Sequence, residues 1–214
     1  MKMADSTERT DLRVIGITGG IGAGKSVMSR LLRLSGFLVY DCDWKARLLM
    51  DADESLPADV ARFLGEECVD DSGRICRPAI AAKVFADAEA LAWLNKRVHG
   101  LVANDFRRFC ESVAAHCSVV FVEAAVLRSS GLWCKCDEIW IVTAPDSLRV
   151  SRVCERNGIS PDEVRARISS QQHEFEFSDI FPPSMIKTIA NDGSQSLIRQ
   201  LHDIFPEIID NQTD

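Results

Sequence analysis

Residues 12–26 read LRVIGITGGIGAGKS, and this stretch decides the fold. Its first half, 12–18, is a short apolar run expected to form a buried strand. Its second half fits G-x-x-x-x-G-K-[ST] from Gly19 to Ser26, the pattern of a phosphate-binding loop. Glycines let the backbone fold tightly and turn its N–H groups inward around phosphate oxygens. The loop then feeds a helix N-terminus, whose partial positive charge favours anions. Gly20, Ile21, Gly22, Ala23, Gly24, Lys25 and Ser26 are therefore the candidate nucleotide-binding set. In such loops the lysine, here Lys25, reaches the β- and γ-phosphates, and the hydroxyl of Ser26 takes Mg²⁺. A Gly-rich turn capping a helix would show the same letters. The buried strand before it and the amphipathic helix after it favour the phosphate reading.

Working outward, Val27, Met28, Leu31, Leu32 and Leu34 keep a helical spacing that Gly36 closes. Residues 37–40 read as a second strand, 118–125 as a third, 138–143 as a fourth and 185–190 as a fifth, with a final helix over 194–205. Strands alternating with helices imply an α/β fold, a P-loop NTPase-type parallel sheet of about five strands flanked by helices. The stretch 44–115 is rich in helix formers and reads as several helices inserted between strands. Residues 145–178 read as a charged helical hairpin forming a lid, its second helix opened by the capping box Ser160-Pro-Asp-Glu163. The expected organisation is a nucleotide-binding core of 1–43, 116–144 and 179–214, with the insertion at 44–115 and the lid at 145–178. Residues 1–11 are polar and expected to fray.

Three further groups carry chemistry. Tyr40-Asp41-Cys42-Asp43 ends the second strand, at the sheet edge where α/β ligands bind. On an extended segment Asp41 and Asp43 point to one side. A carboxylate there can accept a proton from an attacking hydroxyl or help hold Mg²⁺, or Asp43 can simply cap the next helix. Glu123, near the end of the third strand, stands where P-loop proteins place an acid for Mg²⁺ or its waters; a plain strand-end charge is the alternative. Arg149, Arg152 and Arg156 fall on one helix face, with Arg165 and Arg167 on the partner helix. Such a stripe can close over polyphosphate and neutralise developing charge, or simply be a solvated face.

Composition narrows the partners. The 214 residues carry 25 Lys and Arg against 32 Asp and Glu, a net charge of −7, which argues against a nucleic-acid-binding surface. The longest apolar stretch, 119–127, contains Glu123 and is too short to span a membrane. No secretory signal opens the sequence, and eight cysteines without a Cys-x-x-Cys read as reduced thiols, so a cytoplasmic setting is expected. Cys134-x-Cys136 with His116-Cys117 does not have a usual zinc spacing. Trp44, Trp93, Trp133 and Trp140 read as core or domain-interface residues. The residues alone leave open another small-molecule P-loop kinase, acting on a nucleoside monophosphate or a sugar acid. A GTPase-like switch lacks its Asn-Lys-x-Asp and Asp-x-x-Gly motifs here.

Together these residues resemble the dephospho-CoA kinase family, which phosphorylates the ribose 3′-hydroxyl of dephospho-CoA with ATP. The stretch from Gly16 to Ser26 is similar to that family's opening, G-[LI]-T-G-G-I-G-[SA]-G-K-[ST]. Asp41-Cys-Asp43 with Ala46-Arg47 resembles D-A-D-x-x-A-R, and Arg77, Val84-Phe85, Leu94-Asn95 and His99 resemble the substrate-domain stretch. Pro145, Arg152, Arg156 and Gln171 resemble the lid pattern, and Ile189-Ala-Asn191-Asp-Gly193 the late [IV]-x-N-x-G segment. The resemblance implies ATP and Mg²⁺ as cofactors and dephospho-CoA as the small-molecule partner. It implies catalytic roles for Asp43, as general base, and for Lys25 and Arg152. Arg156 and Asn191 join the nucleotide set, Asp41, Arg47, Arg77, Asn95 and His99 the CoA side, and Ser26 and Glu123 the metal. The chain departs from the family at Gly100, where a proline is usual. It departs again in the run from Glu123 to Ser129, with Ala125 for proline, Arg128 in the stretch, and Ser129 for a later acid.

Overall fold

Strand and helix alternate in the computed structural model, which describes residues 12–206. The expected fraying at 1–11 lies outside the described residues. Five strands, β1 (Arg13–Thr18), β2 (Val39–Asp41), β3 (Val119–Glu123), β4 (Glu138–Thr143) and β5 (Ile186–Ala190), form one sheet in the order β2-β3-β1-β4-β5. β1 is central and runs parallel to β3 and β4, and β4 runs parallel to β5. A strand buried on both faces reads as continuous apolar sequence, and β1 and β3 do. Helices α1 (Lys25–Leu34) and α8 (Leu197–Ile204) contribute Met28, Leu32 and Leu201 to the core with Ile15, Ile17, Phe121, Trp140 and Phe205. Each such large side chain contributes about 1.5–3 kcal/mol by leaving water. The carboxylate of Glu138, 6% exposed, accepts from Arg13 Nη2 at 2.7 Å and from the Trp140 indole. A buried charge in an apolar sheet persists only with such partners.

Several boundaries differ from expectation, those of β2 and α8 most clearly. β2 begins at Val39, because Phe37 turns into the core and meets Phe121 and Phe205 edge to face at 5.7 and 5.3 Å. α8 begins at Leu197, because Asp192 and Ser194 bond each other in a turn and Ser196 caps the helix at Arg199 N–H.

Residues 41–108 form a second compact unit. It holds α2 (Cys42–Ala52), α3 (Leu56–Leu64), α4 (Arg77–Ala86) and most of α5 (Ala88–Val113). Its small core joins Leu56, Val60, Leu64, Cys68, Ile80 and Ala90. Arg97 binds Asp53 and Asp59 at 3.1 Å each and Ser55 Oγ at 2.7 Å, tying α5 to the start of α3. Gly100 explains how α5 continues for 26 residues, since a proline there would lack the N–H and break the ladder.

In the first unit, α6 (Asp146–Asn157) and α7 (Pro161–Ser170) form the hairpin. The capping box is present, with Ser160 and Glu163 bonding reciprocally. Val153, Val164 and Ile168 form the hairpin's own core, and the loop residue Ile21 packs against it.

Candidate active site

The phosphate loop joins β1 to α1, and its conformation follows from glycine. Gly24 caps α1 with φ of 104°, a left-handed value other residues avoid, and a Cβ there would overlap the Asn191 amide. Three successive loop carbonyls accept side-chain donors from elsewhere in the unit. Arg149 Nε donates to Ile21 O at 2.9 Å, Arg152 Nη1 to Gly22 O at 3.4 Å, and Asn191 Nδ2 to Ala23 O at 2.9 Å. The Ile21 N–H donates to Gln171 Oε1 at 2.9 Å, so that residue is held through both its backbone groups. With its carbonyls engaged by donors, the loop is pre-shaped for anions at the helix N-terminus. Lys25 Nζ donates to Gly19 O at 2.7 Å. Asn191 is itself placed by its N–H on Thr143 O and by Arg152 Nη2 on its carbonyl.

The other candidates divide. Gly20, Ile21, Gly22, Ala23, Gly24, Lys25, Ser26, Arg152 and Asn191 converge on one loop. Glu123, 7% exposed, ends β3 opposite Ile17 of β1, one residue short of the strand end that opens into the loop. Arg156 does not join them. It is exposed, and its Nε binds Asn157 Oδ1 at 2.8 Å, because it stands one turn beyond Arg152.

The extended reading of Asp41 to Asp43 is overturned. The helix α2 already begins at Cys42, and Asp41 is its cap, accepting Trp44 N–H at 2.9 Å. Asp43 is exposed in the first turn, where a carboxylate suits the helix dipole. In the same unit Arg77 binds Asp51 Oδ1 at 2.7 Å and Arg47 O at 3.1 Å, while Arg47 and Asn95 are exposed and His99 is half-buried. Trp44 is not a core residue, being 55% exposed, whereas Trp140 is fully buried.

Sequence reasoning left two groups outside its site set. Arg149 was one arginine in a stripe, and nothing in the spacing separated it from its neighbours. Arg128 lies in the run that departs from the family. Its guanidinium grips Asp179 at 2.9 and 2.6 Å, donates to Glu176 O and sits over Phe177, while Ser129 N–H donates to Glu174. The hydrogen bond from Arg128 holds the Asp179 carboxyl below its ordinary range. Cys134 is exposed, but Cys136 is buried with its thiol on Leu132 O, and burial pushes Cys110 up to about 11.

A glycine-rich loop on the central strand of a parallel sheet, with arginines from a helical hairpin on it, defines a P-loop phosphotransferase. The family model of dephospho-CoA kinase matches residues 13–179, and the chain belongs to that family. It is 36% identical over 158 residues to a dephospho-CoA kinase of Corynebacterium efficiens, covering 73% of this chain and 79% of that one. A crystal structure from Thermus thermophilus superposes with a TM-score of 0.72 at 32% identity, covering 94% of this chain and 98% of that one. The dephospho-CoA kinase of Campylobacter jejuni shares the fold, with a TM-score of 0.67 at 20% identity over 94% of this chain and all of that one.

Proposed function

We propose that the chain transfers the terminal phosphoryl group of ATP to the ribose 3′-hydroxyl of dephospho-CoA, giving coenzyme A and ADP. The observation that carries this reading is the braced loop from Gly19 to Ser26 in a chain of the dephospho-CoA kinase family. The triphosphate lies on the loop amides, and Lys25 exchanges Gly19 O for phosphate oxygen. Arg152, and Arg156 after a shift of its side chain, neutralise charge from the hairpin, which acts as a lid excluding water. The metal side is oxygen-only: the Ser26 hydroxyl on the first turn of α1 and the Glu123 carboxylate at the end of β3. That donor set fits Mg²⁺, which would neutralise phosphate charge there.

Asp43 accepts the proton of the 3′-hydroxyl as its oxygen bonds to the γ-phosphorus and the bond to ADP breaks. Asp41, by capping α2, positions Asp43. Arg47, Arg77, Asn95 and His99 serve the CoA side. No described helix is long and apolar enough to cross a membrane, and a cytoplasmic setting suits the small-molecule substrates. The test is ADP release with a panel of acceptors. Release stimulated by dephospho-CoA, and not by a nucleoside monophosphate or a sugar acid, supports the reading. Stimulation by another acceptor alone overturns it.

A further inference from the structure

We propose that Arg149 is a further phosphate-contacting residue, its Nη2 receiving an oxygen of the terminal phosphoryl group; the assignment rests on the ATP-dependent reading above. Arg149 lies in the first turn of α6 with its side chain 12% exposed. Two of its three nitrogens are engaged, Nε by Ile21 O and Nη1 by Asp146 Oδ1, both at 2.9 Å. Nη2 is buried and has no hydrogen-bond partner among the described residues. A buried charged donor left unmet is costly, so the position calls for an acceptor that the described residues do not supply.

The surroundings say which acceptor. A Cβ on Gly20 would overlap the guanidinium, so Nη2 lies directly against the second residue of the loop. Arg149 borders a cavity of about 160 Å³ otherwise walled by Gly20 and Ala23 of the loop, by residues 141–144 and by Phe175, with no carboxylate among them. Lys25 Nζ holds Gly19, the adjoining residue. A lysine of this loop type serves the β- and γ-phosphates, so both cations stand at the end of the loop where the transferred group lies. Arg149 thus has two tasks: Nε positions the Ile21 peptide, and Nη2 meets charge that grows during transfer.

Calorimetric titration of Arg149→Lys with ADP and with a non-hydrolysable β,γ-imido ATP, beside kcat, separates the tasks. Gln171→Ala, which removes the acceptor from the N–H of the same residue, reports loop positioning alone. In Arg149→Lys, affinity for ADP should fall only as far as in Gln171→Ala, the cost of one lost brace, while that for the triphosphate analogue falls about tenfold further. Its kcat should fall roughly 10²-fold. Gln171→Ala should weaken both nucleotides alike. Equal losses for ADP and the analogue in Arg149→Lys, or no loss of either, would overturn the assignment. Should the lysine variant lose its cooperative thermal transition, Arg149→Gln carries the same comparison. Wild-type protein that binds neither nucleotide would overturn the ATP-dependent reading, and the assignment with it.

Discussion

The nucleotide loop and the unit of residues 41–108 hold their polar side chains in opposite ways. Around the loop, Arg149, Arg152, Gln171 and Asn191 are committed to backbone atoms of residues 21–23, so the anion cradle is shaped by the chain itself. In residues 41–108, Asp43, Arg47 and Asn95 are exposed on helices, and Arg77 is held by Asp51. A cradle for phosphate needs fixed amides, because its strength lies in dipoles that do not reorganise. Side chains for a bulky acceptor need only the right helix faces. The difference teaches that the proposed nucleotide side is braced by the chain's own side chains, whereas several side chains proposed for the acceptor stand at exposed helix positions.

The largest expected effect breaks the comparison on the acceptor side. Asp43→Asn should lower kcat about 10²–10⁴-fold with ATP affinity retained, measured by steady-state kinetics and calorimetry. Near-wild-type turnover would remove the base assignment.

On the nucleotide side, Asn191→Ala removes one brace from Ala23 O. It should weaken ATP binding by about threefold to tenfold, the net worth of one hydrogen bond of about 0.5–1.5 kcal/mol. Binding of dephospho-CoA should not change. An equal loss for both ligands would show that the brace is not confined to the loop.

A third prediction concerns acid. The Ser55 hydroxyl above all, then the charge of Arg97 and the amides of Ser55 and Leu56, hold the Asp53 carboxyl below its ordinary range, against an opposing cost of burial. A lowered folded value stabilises the fold fully above the unfolded value near 3.8 and is lost as pH falls below it. Asp53→Asn should therefore lower the urea midpoint at pH 6 and flatten its fall between roughly pH 4 and 2. An unchanged acid slope would remove Asp53 as a source of stability.

The smallest effect is a gain. Gly100 lies inside α5, has no positive φ, and an added Cβ meets nothing within 4 Å. Gly100→Ala should stabilise the protein by about 0.5–1 kcal/mol, read as a higher thermal midpoint.

What was legible in the sequence follows the same division. Residues 12–26 foretold strand, loop and helix because glycine placement and apolar runs are local, backbone-level signals. Asp41 and Asp43 were misread as one extended stretch, because a helix cap and a strand end share the same residue types. Arg149 could not be told from Arg152 or Arg156, since its distinction lies in a contact with Ile21, 128 positions away. The grip of Arg128 on Asp179 was hidden for the same reason, and Phe37 left its expected strand for a core that only the folded sheet creates.

The most direct measurement is tandem mass spectrometry of dephospho-CoA incubated with the protein, ATP and Mg²⁺, with Lys25→Ala in parallel. The expected product carries one added phosphate on the ribose, requires ATP and disappears in the variant. Dephospho-CoA left unmodified while ATP still binds, or a phosphate placed elsewhere on the molecule, would contradict the proposed reaction.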